Sequence, residues 1–380
     1  MTDNDQVVAL PVWKRIAFAL VPLGVLIVVL EGGVRLLLWD RPALQTLELP
    51  EERAGLIQPD RELFWALKPD THAIWRDTRI SVNHAGTRGA EIEPRQPREL
   101  RILSLGESTT FGSAVNDEET YSAQLEVLLQ TIYPDRRVTV INAGVPAYSS
   151  FQSLKFLEQR GFALEPDVVL FYHEVNDYLP TSLRDSSNNE IGIVKTDRQL
   201  YESRTQGLHR AFMDWSAVYR WLSYAVANAR IRKFDRPDAD NPLPTIGLPG
   251  YALPSRLAAA GKSGETAGHN DKALGRRVSE EERRVNLERL AELCREHSVK
   301  LVILHPSYRD STRHECLLTR VTAERGIPTL DVYQPLHPEN VPAGSMYRDA
   351  WHPSPEGHAS IAQYVTAFLL QHRLIPVPGR

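Results

Sequence analysis

The chain has 380 residues, is 42% hydrophobic and 24% charged, and carries a formal net charge of −4 at pH 7. This composition can bury a full core, which excludes wholesale disorder, and the mildly acidic balance without a basic stripe excludes a nucleic-acid partner. Cys294 and Cys316 have neither the density of a disulfide scaffold nor a metal-ligand spacing, and whether they pair stays open.

After a polar tail (residues 1–11), the first predicted element is an apolar run, uncharged from Ile16 to Leu30 and continuing past Glu31 and Arg35 to Trp39. Over residues 12–39 it is long enough to span a bilayer as a helix. Glu31 and Arg35 are four apart and can pair on one helix face, while Trp13 and Trp39 bracket the run as interfacial aromatics do. No small-x-small cleavage site follows, so an uncleaved signal anchor is expected rather than a removed signal peptide. Lys14 and Arg15 before the span place the N-terminus inside and the bulk of the chain outside, in the periplasmic sense.

Residues 40–98, rich in proline and charge, read as a juxtamembrane connector with short strands around "FWALKPD" and "IWRDTRISVN". From residue 99 to 372 the pattern changes. Five short, β-branched-rich runs, "RILSLG", "RVTVINAG", "DVVLFYHE", "VKLVILHP" and "IPTLDVY", alternate with helical periodicity, as strands buried on both faces do. Asp117 is the expected N-cap of the helix "DEETYSAQLEVLLQTIY", and Ser279 with Glu282 has capping-box register. The expected fold is a three-layer α/β/α domain around a five-stranded parallel sheet, preceded by one transmembrane helix. Residues 180–277 interrupt the alternation. They form either a lid or a helix packed on the core through Trp215, Tyr219, Trp221 and Tyr224.

Functional groups in such sheets gather at the C-terminal ends of the strands. Gly106-Glu107-Ser108 follows the first run, Asn142-Ala143-Gly144 the second, and Glu174-Val175-Asn176-Asp177 the third. His305 ends the fourth, and Asp349 and His352 follow the fifth. A serine needs a base, the base an orienting carboxylate, and the developing oxyanion needs donors. Asp349 and His352, three apart, can supply carboxylate and imidazole to Ser108. The Gly144 N–H and the Asn176 amide can supply donors. "GESTTFG" fits neither the Gly-x-Ser-x-Gly elbow nor a phosphate-binding loop. His358 reads as a structural residue of the last helix, and no coordination shell is completed around it and His352.

In these four blocks the chain resembles the SGNH (GDSL-type) hydrolases, from about residue 100 to 370 without the insertion. The resemblance rests on Ser108 in "LGES", Gly144 in "NAG", Asn176 in "VND" and Asp349 and His352 in "DAWH". It implies a flavodoxin-like fold and ester hydrolysis or acyl transfer by a Ser108–His352–Asp349 triad. It also implies an oxyanion hole of the Ser108 N–H, the Gly144 N–H and the Asn176 side chain. Glu107 stands where an Asp is usual and Glu174 where many members have Gly; with His305 these are candidate pocket residues. No metal or organic cofactor is expected. The expected activity is that of a membrane-anchored esterase acting on an acyl ester, such as an O-acetyl ester, of a small molecule or glycan. The alternatives are an O-acyltransferase using the same residues on a cell-surface glycan, and an inactive glycan-binding scaffold.

Overall fold

Helix α1 (Val12–Leu38) opens the computed structural model, which describes residues 11–38, 55–60, 62–75, 77–178, 183–184, 190–192, 196–205, 207–222, 276–309 and 316–377. Within Val12–Leu37 an 18-residue stretch reaches a mean hydropathy of 2.3, which makes the helix long and apolar enough to cross a membrane by length and composition. Pro22 lies inside it, as spanning helices tolerate. Arg35 pairs with Glu31 at 2.8 Å, as the four-residue spacing requires. The Glu31 carboxylate also accepts the Ser216 hydroxyl at 2.8 Å and the Ala217 N–H at 2.6 Å, fastening the end of α1 to the insertion.

Strands β1 (Ile57–Asp60) and β2 (Phe64–Leu67) pair antiparallel, as do β3 (Thr71–Trp75) and β4 (Thr78–Val82). β2, β3 and β4 fall in or beside the stretches where short strands are expected, and β1 adds a partner for β2. They do more than connect. Leu56, Leu63, Trp65, Leu67 and Ile80 share one apolar cluster with Leu103 and Phe171 of the central sheet. Arg88 then joins the hairpin to the sheet edge, its N–H donating to the Asn142 carbonyl at 2.9 Å.

Strand β5 (Leu100–Gly106) is buried along its whole length and leads into the single-turn helix α2 (Ser108–Phe111). Helix α3 (Tyr121–Ile132), strand β6 (Val138–Gly144), helix α4 (Ser150–Phe156) and strand β7 (Val168–Tyr172) follow. Within the insertion lie α5 (Asp197–Thr205) and α6 (Gly207–Trp215). The chain returns through α7 (Glu280–Glu296), β8 (Lys300–His305), α8 (Leu317–Arg325), β9 (Thr329–Asp331) and α9 (Pro355–Gln371). The Ser279–Glu282 capping box forms as expected. Asp117 does not cap α3. Thr120 does, and the Asp117 carboxylate is taken by the Arg88 guanidinium at 2.7 Å and the Ser81 N–H at 2.8 Å.

All five central strands run parallel in the order β9-β8-β7-β5-β6. Counted along the chain this is 2-1-3-4-5 read from the other edge, the flavodoxin-like winding whose direction reverses between β5 and β7. Alternate side chains serve opposite faces. Leu103, Leu105, Val169 and Ile303 pack with Leu287 and Leu290 of α7 and Val321 of α8. Ile102, Val168, Leu170 and Val302 pack with Leu125 of α3 and Ile361 and Val365 of α9. Each such aliphatic side chain contributes about 1.5–3 kcal/mol on burial, and helices on both faces explain why no polar alternation marks the strands.

Of the insertion's aromatic residues, Trp215 and Trp221 are 66% and 44% exposed, so neither is a core anchor. Tyr219 is half-buried, and Tyr224 lies outside the described residues, as does most of the segment read as a lid.

Candidate active site

Ser108 is the first residue of α2, immediately beyond β5. Two glycines permit that turn. A Cβ at Gly106 would lie 2.0 Å from Thr110 Oγ1, and one at Gly144 would lie 2.1 Å from the Phe111 nitrogen, so neither strand end admits a side chain beside α2. At the other end of α2 the buried Arg88 guanidinium donates to the carbonyls of Phe111, Gly112 and Val115, each at 2.7 Å. One buried cation thus ties the end of α2 to the loop that follows it.

Asp349 and His352 lie in a tight loop before α9. The Arg348 N–H donates to the His352 carbonyl at 2.8 Å, and the Ser354 N–H to the Met346 carbonyl at 2.9 Å. Asp349 uses its two oxygens differently. Oδ1 accepts the N–H groups of Trp351 and His352, both at 2.8 Å, which shapes the loop. Oδ2 lies 2.7 Å from His352 Nδ1. A carboxylate there fixes the imidazole proton on Nδ1, so Nε2, 2.9 Å from Ser108 Oγ, accepts the serine hydroxyl. Burial works against the Asp349 charge. The His352 hydrogen bond and the two amides outweigh it and hold the carboxyl well below the usual carboxylate range. The structure thus brings Ser108, His352 and Asp349 together in hydrogen-bonding order.

The expected oxyanion donors are arranged differently. The Gly144 N–H donates to Asn142 Oδ1 at 3.0 Å, so this glycine serves the close approach of α2 and its amide is already engaged. To serve a substrate oxygen this amide would have to leave Asn142. Asn176 lies in the turn after β7, and its Nδ2 gives one hydrogen to the Tyr148 carbonyl at 2.9 Å. A primary amide retains a second.

Sequence reasoning missed the turn that Asn176 touches. The Tyr148 N–H donates to the Val145 carbonyl at 3.2 Å, with Pro146 at the second position and Ala147 at φ +63° in the third. That is type II geometry, which favours glycine where Ala147 stands. Three buried groups hold the strained turn. Trp65 Nε1 donates to the Pro146 carbonyl at 3.1 Å, Tyr148 donates to the Trp65 carbonyl at 2.7 Å, and Arg277 donates to the Ala147 carbonyl at 2.8 Å. Arg277 is itself fixed by the buried Asp197 at 3.0 Å. A proline followed by alanine instead of glycine was the only local signal.

The three candidate pocket residues separate. Glu107, next to Ser108, is 2% exposed, so it lines no open pocket. Burial and the Asp177 carboxylate push it up to about 8, against the N–H groups of Asn176 and Glu174. Glu174, 8% exposed, turns toward His305 and Cys316, and the donor atoms of these three lie within 4.8 Å of one another. His305 Nε2 is 3.3 Å from Cys316 Sγ, and its Nδ1 is 3.7 Å from Asp331 Oδ1. Burial disfavours its charge, but Asp331 and Cys316 outweigh it and push His305 up to about 10. His358 is structural, as expected. It is buried on α9, accepts the Tyr121 N–H at 3.1 Å on Nδ1, and is held down to about 3 by burial. Neither Cys294 nor Cys316 is in a disulfide.

No family model and no curated protein sequence matches the chain. Solved structures do. LAE5, an alpha/beta hydrolase enzyme from the metagenome of Lake Arreo, Spain, is 16% identical with a TM-score of 0.40, over 71% of this chain and 94% of that one. A catalytic mutant of Axe2, an acetylxylan esterase from Geobacillus stearothermophilus, is 12% identical with a TM-score of 0.39, over 71% and 94%. A protein of the G-D-S-L family from Desulfitobacterium hafniense DCB-2 is 13% identical with a TM-score of 0.36, over 71% and 99%. At such identities and scores the likeness says nothing of this chain's own reaction, which has to be read from the triad.

Proposed function

We propose that the chain is a serine esterase of the SGNH type, anchored by α1 with its catalytic domain on the extracytoplasmic side. One observation carries the reading: His352 bridges Ser108 and Asp349 at 2.9 and 2.7 Å. His352 Nε2 takes the proton of Ser108 as Oγ bonds to the ester carbonyl carbon. The carbonyl oxygen becomes an oxyanion facing the Ser108 N–H and the second hydrogen of Asn176 Nδ2. The carbon–oxygen bond to the alcohol breaks, and His352 gives that alcohol its proton. Water then attacks the acyl-serine while His352 takes its proton, and the acid departs as Ser108 regains its hydrogen. Asp349 keeps the imidazolium oriented throughout without itself becoming protonated. An O-acetyl ester of a glycan or small molecule is the substrate class proposed.

The test uses the detergent-solubilised full chain, a fluorophosphonate probe with peptide mapping, and p-nitrophenyl acetate as substrate. Labelling at Ser108 is expected, with turnover reduced about 10⁴-fold or more in Ser108→Ala. Turnover that survives this substitution in a folded protein would refute the reading.

A further inference from the structure

We propose that Glu174, His305 and Cys316 form a binding site for a zinc-class divalent cation beside the triad. The three come from separate elements that end at one sheet edge: Glu174 just past β7, His305 at the end of β8, and Cys316 at the N-cap of α8. Zinc bonds of about 2.0–2.3 Å in a tetrahedron place neighbouring ligand atoms roughly 3.3–3.8 Å apart. The Sγ–Nε2 distance of 3.3 Å already has this spacing, and a carboxylate within 4.8 Å reaches it by side-chain rotation.

Donor chemistry narrows the ion. A thiolate with an imidazole selects zinc-like metals over magnesium or calcium, which prefer all-oxygen shells. Asp331 stands behind the imidazole, 3.7 Å from Nδ1, where a carboxylate orients a metal-binding histidine and leaves Nε2 for the ion. Shielding is partial: Glu174 is 8% exposed and the His305 side chain 12%, while Cys316 is half-buried and gives an entry path. Bound, the ion would fasten the turn that starts at Glu174 and carries Asn176 to β8 and α8. The site stands whether or not Ser108 cleaves esters.

The experiment takes the full chain in detergent, reduced and stripped with a chelator, and titrates it with Co²⁺ and then Zn²⁺. One equivalent of Co²⁺ is expected to produce tetrahedral visible bands and a thiolate-to-cobalt charge-transfer band, both erased by Zn²⁺. The charge-transfer band should vanish in Cys316→Ser and persist in Cys294→Ser, and Glu174→Gln should weaken Co²⁺ binding at least about tenfold. In the unsubstituted protein, Zn²⁺ should protect Cys316 from iodoacetamide, a readout that needs no variant to fold. Absence of the band, its survival in Cys316→Ser, or alkylation of Cys316 at the same rate with and without Zn²⁺ would each overturn the proposal.

Discussion

Two clusters at the same sheet edge share a wiring pattern and differ in tightness. In one, Ser108 Oγ, His352 and Asp349 are linked at 2.9 and 2.7 Å. In the other, Cys316 Sγ, His305 and Asp331 stand at 3.3 and 3.7 Å, with the Glu174 carboxylate added. The first carboxylate is aimed by two backbone amides in its own loop, so the imidazole has one orientation and one proton position. The second sits beyond hydrogen-bonding range, and the extra carboxylate gives the group three converging donor atoms. Nucleophilic catalysis needs a single aimed proton path, whereas a cation needs several donors and tolerates looser backing.

The sharpest way to break this contrast is Asp349→Asn. An amide opposite Nδ1 favours the wrong tautomer, and kcat for p-nitrophenyl acetate should fall about 10⁴-fold with the fold intact by circular dichroism. Next comes the support of the turn that carries Ser108. Arg88→Ala removes a buried cation bonded to four carbonyls and Asp117, and urea unfolding should register a loss of about 3–5 kcal/mol.

Glu107 should have a smaller, pH-dependent effect. Its value is raised from 4.5 to about 8, so the fold favours the protonated form. That contribution is complete below 4.5 and lost as pH rises through 8, a change of a few kcal/mol at most. Stability measured across this interval should decline with rising pH, and Glu107→Gln should flatten the decline. The smallest expected effect is on the looser cluster, where Asp331→Asn should weaken Co²⁺ binding about 10-fold. A loss of Co²⁺ affinity in Asp349→Asn as large as that in Asp331→Asn would erase the distinction between the two.

Much of the triad was legible because its parts are local. Ser108 directly follows a buried strand, and Asp349 and His352 are three residues apart. The five strands were legible because helices on both faces leave them continuously apolar. Gly144 is ambiguous in the sequence because a glycine after a strand has two reasons to be there, an exposed amide or a close neighbour, and the packing against Phe111 is visible only in the fold. Arg88 was one arginine in a charged, proline-rich stretch, and nothing in its neighbours marks it as the clamp on α2. The Glu174–His305–Cys316 group draws on three elements, with Asp331 on a fourth, and no spacing along the chain announces it.

The parallel sheet also sets an order of events in synthesis. Strand β7 pairs with β8 through Val168 and Lys300, so the insertion must be made before the sheet can widen. His352 lies 244 positions after Ser108. A nascent chain can therefore build the β6-β5-β7 core with Ser108 in place while it remains chemically inert. Closure of the last loop, a slow long-range event, brings His352 to the Ser108 hydroxyl. Under the proposed mechanism, hydrolytic competence would then report that translation had reached the final helix and that folding had finished.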